Sequence, residues 1–296
     1  LYYTSGHGEG AFSSQTASEL EKQNITTEEI SLLTASQIPD DADLLVINNP
    51  QSDIAQNEKD LLLNYLKNGG KLVLISGYTG TDMPVLNELM SNYGVTGENK
   101  LVYESDAKMY LTGYNYFLVP DMQSSDITDP IIRNNYPVLM PLSYPIVKTE
   151  SSASAADVTD LLTTSSKAYT KTNVVSMNNP EKQPEDKEGK YTVGVWITDT
   201  TDNGEAQIAW FSSAQMLDDS INQMVGGANR DLFLNAINSM CEREESVAIH
   251  AKSLQSESLT VPSGVKNLWS IVFIFLIPAL FIAAGIYVSY KRKHTN

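Results

Sequence analysis

The amino-terminal part of the chain alternates short apolar runs with stretches whose apolar residues recur every three or four positions. The apolar runs predict buried strands, and the three-to-four spacing predicts amphipathic helices. In chain order, the pattern predicts strand, helix, strand, strand, helix, strand and helix: Leu1–Thr4, Phe12–Lys22, Thr26–Ser31, Leu44–Ile47, Glu58–Leu66, Lys71–Ile75 and Met83–Tyr93. This alternation is typical of a parallel sheet with helices on both faces, so we predict a flavodoxin-like α/β fold.

The middle of the chain shows no such regular pattern. Residues 97–190 are rich in Tyr, Pro, Asn and Asp and predict an irregular, loop-rich insertion, with short strands at Tyr116–Val119, Val138–Met140 and Ile146–Val147. Within it, the polar stretches 151–156 and 178–190 contain no large apolar residue. We therefore expect these two stretches to be exposed loops or disordered.

Regular patterns return after residue 190. Two alternating strands are predicted at Tyr191–Thr198 and Gln207–Phe211, joined by a hairpin loop, and a helix is predicted at Asp231–Cys241. Extended segments are predicted at Val247–Ile249 and Leu259–Val261. The pattern thus predicts one α/β domain over residues 1–264.

The strongest single signal is the run from Leu268 to Tyr290, which contains no charged residue and is followed by Lys291-Arg292-Lys293. About 20 apolar residues are enough to cross a bilayer as a helix. Basic residues beside a span favour the cytoplasmic side. We therefore predict a transmembrane helix over 265–290 in the cell membrane, in contact with lipid. The tail 291–296 would be cytoplasmic and the α/β domain extracytoplasmic.

Two features of this topology extend the prediction. The chain opens at Leu1 directly into a predicted strand and lacks the segments of a signal peptide, so we expect a native N-terminal anchor to precede Leu1. Small residues in the span would let a neighbouring helix approach closely. These predicted helix contacts are Ala279, Ala283, Ala284 and Gly285.

Charge and cysteine content exclude several classes of function. The formal net charge is −16 at pH 7, and nucleic-acid binding needs a basic surface, so a nucleic-acid partner is excluded. Cys241 is the single cysteine, which excludes an intramolecular disulfide and a thiolate metal cluster. With three histidines in the whole chain, a site built on His7 would need distant carboxylates, so no metal site is predicted.

The loop after the first predicted strand has the sequence Ser5-Gly6-His7-Gly8-Glu9-Gly10-Ala11, which formally satisfies G-x-G-x-x-G/A. That fingerprint would place a pyrophosphate at a helix N-terminus. The carboxylate of Glu9 would occupy the position of the phosphate, and the extracytoplasmic side does not routinely supply NAD. We therefore favour a glycine-rich turn, with Glu9 near the positive end of the helix dipole, and expect no cofactor.

The loop after the strand Lys71–Ile75 contains two hydroxyl side chains, Ser76 and Thr79. A nucleophile elbow would need G-x-S-x-G, and that spacing is not met. Only His7 could serve as the base that activates either hydroxyl. We therefore predict no catalytic residue, and a turn beside a vacant pocket.

Ligands of open α/β sheets bind at the carboxyl ends of the strands, where neighbouring connections diverge. The loops after the first, third and fourth predicted strands should therefore line one crevice. The predicted partner or ligand cleft consists of Gly6, His7, Gly8, Glu9, Asn48, Asn49, Gly77, Tyr78 and Thr79.

Several segments resemble the GldG-like (gliding-motility-type) auxiliary domain of ABC transporters. They are Tyr2–Glu9, Ile38–Ile47, Glu58–Lys71, Asn229–Ala236 and Ile249–Lys252, together with the Pro278-containing span and its basic tail. The resemblance covers both ends of the chain and little of residues 97–190. It implies a class I glutamine-amidotransferase-like fold without catalytic residues, held outside the membrane beside an ABC permease and ATPase.

The sequence thus favours a non-enzymatic, membrane-anchored auxiliary subunit of an ABC transport system that binds a partner or solute. Two alternatives remain open. One is a cell-surface hydrolase that uses the cleft at His7, Glu9 and Ser76. The other is a stand-alone extracytoplasmic ligand-binding or scaffold protein that needs no ATPase.

Overall fold

The computed structural model describes residues 1–149, 155–171, 174, 182–201, 203–241, 272–276, 278, 281–282 and 285. The chain divides into two units, Leu1–Ala248 and Ile249–Asn296. In the first unit, the described residues form sixteen strands and six helices.

The strands are β1 (Tyr2–Ser5), β2 (Glu28–Ser31), β3 (Leu45–Asn48), β4 (Lys71–Ile75), β5 (Val95–Gly97), β6 (Leu101–Tyr103), β7 (Tyr110–Leu111), β8 (Tyr114–Leu118), β9 (Asp121–Met122), β10 (Met140–Pro141), β11 (Ile146–Lys148), β12 (Asp157–Thr163), β13 (Ala168–Lys171), β14 (Lys187–Gly189), β15 (Thr192–Thr201) and β16 (Gly204–Phe211). The helices are α1 (Ser14–Lys22), α2 (Gln56–Lys67), α3 (Pro84–Ser91), α4 (Asp129–Arg133), α5 (Asp219–Met224) and α6 (Ala228–Met240).

A mixed ten-stranded sheet organises this unit, and its main path is β2-β1-β3-β4-β16-β15-β11-β5. The first five strands of the path run parallel to one another. β15 is antiparallel to β16, and β12 and β9 extend the sheet from β15. The sequence predicted the parallel strands β1 to β4, but not the insertion of β16 beside β4.

Helices cover both faces of the parallel strands. The strand register aligns Val46 with Val73 and Val73 with Ala209, and these side chains face the core formed with α1, α5 and α6. Leu45 and Leu72 lie in register on the opposite face, which is packed against α2 and α3. Burial on both faces explains why these strands are continuously apolar in sequence.

Two small sheets adjoin the large one, with strand orders β10-β8-β7 and β14-β13-β6. A separate core of Leu101, Tyr103 and Tyr169 lies here, and Tyr78 packs against it. The described part of 97–190 therefore contains nine complete short strands and one short helix, where the sequence predicted mostly loops.

Two predictions from the polar segments are wrong. The end of the stretch 178–190 is a strand, since Lys187–Gly189 pairs with β13. The predicted hairpin loop is much shorter than expected, because β15 continues to Thr201 and β16 begins at Gly204. In both cases main-chain hydrogen bonds to a neighbouring strand determine the structure, and these do not require apolar side chains.

The second unit is described at a few positions. Val272–Leu276 forms a π-helix, and the side chains of Phe273, Ile274, Phe275, Phe281 and Ile282 are exposed. No helix among the described residues is long and apolar enough to cross a membrane. Most of the predicted span 265–290 lies outside the described residues, as do the predicted extended segments and the tail 291–296.

Candidate functional site

The loops after β1, β3 and β4 lie at the same edge of the sheet, as predicted, because these neighbouring strands are parallel. Hydrogen bonds join them. Asn49 N–H donates to the Ile75 carbonyl at 2.7 Å, and Gln51 N–H donates to the His7 carbonyl at 2.8 Å. The loops that carry the nine residues of the predicted cleft therefore meet at one edge, and the cleft itself stays a prediction.

His7 is buried, with 6% of its surface exposed, and its ring lies between two carboxylates. The Nε2 atom lies 3.0 Å from Oε2 of Glu58, and Nδ1 lies 3.4 Å from Oε1 of Glu9. The side chains of both glutamates are 1% exposed. The cluster is therefore internal to the protein, and within it Nδ1 of His7 and Oε1 of Glu58 have no hydrogen-bond partner among the described residues.

Glu58 was not predicted as a site residue. It lies in the first turn of α2, and its Oε2 also accepts the N–H of Ala55 at 2.6 Å. A glutamate in the first turn that bonds back to the cap residue is a recognised capping pattern. The sequence did not signal it, because Ala55 stands where that pattern has Ser or Thr, and the contact with His7 joins residues distant along the chain.

Glu9 turns into the protein. Its carboxylate accepts the N–H of His7 at 2.6 Å and the hydroxyl of Thr4 at 3.0 Å. The expectation that Glu9 lies at the N-terminus of α1 is wrong, because α1 begins at Ser14. Ser13 is its cap, and the Ser13 hydroxyl accepts the N–H of Thr16. The Glu9 carboxylate therefore accepts the N–H of His7, a main-chain donor that a bound pyrophosphate would need.

The conformation of the main chain explains two of the glycines in this loop. Gly6 has φ +124° and Gly8 has φ +80°, a region that other residues rarely adopt. A Cβ on Gly8 would also lie 3.0 Å from Cβ of Gln51. On the neighbouring loop, the Asn48 side chain donates to the Gly10 carbonyl at 2.7 Å. Gly6, Gly8 and Gly10 themselves are exposed.

Ser76 is buried in a neutral network. Its Oγ accepts the Nε1–H of Trp210 at 2.8 Å and shares a hydrogen bond with the hydroxyl of Tyr144. Burial raises the pKa of Tyr144 to about 12. Among the described hydrogen bonds, none joins His7 to Ser76 or to Thr79. The sequence could not identify Trp210 and Tyr144 as partners, because they lie far along the chain.

The remaining residues of the loop after β4, Gly77 to Thr79, pack against or bond to neighbouring segments. A Cβ on Gly77 would lie 2.6 Å from the N and Cβ atoms of Ala214, so close packing requires glycine here. Tyr78 N–H donates to the Leu142 carbonyl at 3.0 Å, and the Thr79 hydroxyl accepts the N–H of Thr81 at 3.2 Å. This loop is therefore tied to the small sheets.

The cavities at the two edges of the sheet differ in volume. A cavity of about 30 Å³ borders Gly77, Thr79 and Tyr144, which is room for little more than one water. A cleft of about 750 Å³ lies at the opposite edge, where Lys71 begins β4 and Cys241 follows α6. The cavity beside Gly77 and Thr79 is thus much smaller than the cleft at the opposite edge.

The described residues contain no group of three or more His, Cys, Asp or Glu side chains placed to hold a metal ion. In the His7 cluster, Nε2 of His7 and Oε2 of Glu58 face each other at 3.0 Å.

Comparison with known proteins identifies the family. The family model described as "ABC-type uncharacterized transport system" matches residues 2–236. The chain belongs to this family. Family membership makes it an auxiliary component of an ABC-type transport system. No curated protein sequence gives a significant match.

Solved structures include one that shares the fold of this ABC-transporter family member. The "mmIFT52 N-terminal domain" aligns with TM-score 0.59 and 13% identity, over 83% of this chain and 98% of that one. A putative ThuA-like protein from Bacteroides uniformis aligns with TM-score 0.45 and 16% identity, over 83% and 91% of the two chains. At such low identity, the first match shows a shared fold and nothing about function.

Proposed function

We propose that this chain is a membrane-anchored, non-enzymatic auxiliary subunit of an ABC transport system, whose extracytoplasmic domain docks against a permease or a further partner. The match of the family model over residues 2–236 carries the transport role. A GldG-like subunit with an amidotransferase-like fold is the more specific form of the proposal. The strand order β2-β1-β3-β4 with helices on both faces supports it.

The non-enzymatic role is supported by how the candidate catalytic groups are engaged. His7, the one candidate base, faces Glu58 and Glu9, while Ser76 bonds to Trp210 and Tyr144. A nucleophile needs a base within hydrogen-bonding reach. Serine-directed covalent labelling should therefore leave Ser76 unmodified. Labelling that His7→Ala abolishes would instead support the hydrolase alternative.

Membrane anchoring is supported by the uncharged run Leu268–Tyr290 and the basic residues after it. Protease added to wall-less intact cells should digest the domain and spare an epitope tag placed after Asn296. Digestion of the tag with survival of the domain would overturn this topology.

The subunit role predicts stable association with other chains. Residues 1–296 contain no G-x-x-x-x-G-K-[ST] loop, so the proposal assigns ATP hydrolysis to a separate ATPase. Mild-detergent purification from native membranes should recover a permease and an ATPase with this chain. Gly285→Leu should weaken that recovery by blocking close helix approach, whereas Ile282→Leu, a volume-conserving control, should not. A monomer from crosslinked membranes would favour the stand-alone alternative.

A further inference from the structure

We propose that β2 is a docking edge: an extended segment of another protein, in which basic residues alternate with apolar ones, adds to the large sheet as a further strand beside β2. The position of β2 in the sheet, the direction of its main-chain groups and the charges around it support this assignment. The inference goes beyond the transport role and does not depend on it.

β2 is an open edge of the large sheet. It pairs with β1 and with no other strand among the described residues. Glu28 N–H donates to the Leu1 carbonyl at 3.0 Å, so Glu28 faces β1. By alternation, Ile30 also faces β1, whereas Glu29 presents its N–H and carbonyl to the open side. Main-chain groups presented in this way at a sheet edge are the surface to which extended peptides add as strands.

The two faces of β2 differ in chemistry. Glu29 lies in register with Tyr3, whose side chain packs against the core on the α1 face of the sheet. Ile30 packs against the core on the opposite face, beside α2 and α3. Successive side chains of an added strand point to opposite faces as well. Such a strand therefore suits β2 when charged residues beside Glu29 alternate with apolar residues beside Ile30.

The charges around this edge determine the sign of the charged residues. Three exposed carboxylates lie here, Glu21 in α1 and Glu28 and Glu29 in β2, and none has an ion-pair partner among the described residues. Opposite charges across a strand pair stabilise it, and like charges destabilise it. A second copy that paired through its own β2 would bring these glutamates together. The occupant is therefore a segment of another protein with lysine or arginine at the alternating positions.

An open groove of about 850 Å³ gives the basic side chains room on the α1 face. Ala17, Ser18 and Glu21 of α1 line one wall, and Thr27 and Glu28 line the other. Lysine and arginine bury their aliphatic stems along a surface while the charged ends stay in water. The small side chains of α1 leave space for such a stem, and Glu21 lies where its charged end can reach a carboxylate.

The test uses a blocked hexapeptide that alternates lysine and valine, with a hexapeptide that alternates glutamate and valine as its control. Titration calorimetry with the purified full chain at low ionic strength should show binding of the lysine peptide and none of the glutamate peptide. Glu29→Pro should weaken binding roughly tenfold, because proline removes the outward N–H that β1 does not use. No binding of the lysine peptide, or undiminished binding by Glu29→Pro, would overturn the docking edge.

A charge-matched pair of variants separates this edge from general attraction to an acidic protein. Glu29→Lys should weaken binding of the lysine peptide roughly tenfold. Asp60→Lys changes the net charge equally at an exposed position of α2 and should have a much smaller effect. Equal losses in the two variants would show that the peptide binds without a specific site.

Amide hydrogen exchange in the unmodified protein gives a readout that stands even if Glu29→Pro does not fold. The lysine peptide should slow exchange at Glu29, which faces the open side, and leave Ile30, which faces β1, unchanged. Unchanged exchange at Glu29 on binding would contradict strand addition. Sedimentation of the free protein tests the second copy as occupant: a dimer that Glu29→Pro dissociates would overturn the assignment to a basic segment.

Discussion

The loops after β1 and β4 reach the same edge of the sheet but are held there by different chemistry. The first loop is tied to α2 by ionisable groups, with His7 between Glu9 and Glu58. The second is tied to β16 and to the segment before β11 by neutral groups, with Ser76 between Trp210 and Tyr144. In each loop, a side chain that resembles a catalytic group contacts residues distant along the chain.

This difference predicts unequal consequences when one partner is removed. Deleting one member of a buried ionic pair leaves a charge or a strongly polar atom without compensation. Deleting one member of a neutral network leaves a single unsatisfied donor or acceptor, which costs less. Single substitutions can therefore test whether the two loops differ in this way.

The largest effect is expected for Glu58→Ala. It removes the acceptor of the Ala55 N–H and leaves Nε2 of His7 buried without its partner. We expect the free energy of unfolding to fall by about 3 kcal/mol. Urea denaturation followed by tryptophan fluorescence measures this, with Asp60→Asn as the exposed control. A loss no greater than that of the control would show that Glu58 does not anchor the loop.

A smaller effect is expected for Ser76→Ala. The change leaves the Nε1–H of Trp210, a buried donor, without its 2.8 Å acceptor. We expect a loss of about 2 kcal/mol in the free energy of unfolding. The same denaturation measurement applies, and Thr79→Ala, in the same loop but less buried, is the matched control. If Ser76→Ala costs more than Glu58→Ala, the ranking of the two networks is wrong.

The smallest effect at neutral pH is expected for Tyr144→Phe, about 1 kcal/mol, because Ser76 keeps its bond to Trp210. At alkaline pH, the variant should instead become more stable than the unmodified protein. Burial raises the pKa of Tyr144 from 10.0 to about 12, so between these values the unfolded state ionises first and the native state loses stability as pH rises. In Tyr144→Phe, the free energy of unfolding should fall less steeply as pH rises through this range. Parallel unfolding curves of the two proteins above pH 10 would show that Tyr144 does not contribute.

The parallel part of the fold could be predicted because its signals are local. Lys71–Ile75 is predicted with its observed bounds, and the helix predicted at Glu58–Leu66 lies within α2. Asn68-Gly69-Gly70 marks the end of that helix, and Gly69 has φ +82°. The strands of residues 97–190 could not be predicted, because short strands such as Lys187–Gly189 depend on partners distant in sequence.

The sequence could predict the edge of the sheet at which these loops meet, but not which residues their side chains contact. Parallel neighbours end at the same edge, so the pattern of strands alone brings His7 and Tyr78 to one edge of the sheet. Whether His7 faces solvent or the interior depends on Glu58, which belongs to a different element. The sequence therefore predicted the edge of the sheet, but it could not predict the orientation of the His7 ring.

By itself, the sequence determined the type of each strongly periodic element, the edge at which its loops gather and the uncharged run Leu268–Tyr290. Those features follow from local spacing, charge and length. The tertiary structure decided that β16 pairs with β4, that His7 lies against Glu58 and that Ser76 accepts a hydrogen bond from Trp210. These contacts join residues distant along the chain, and burial in one shared core, rather than any local preference, selects them.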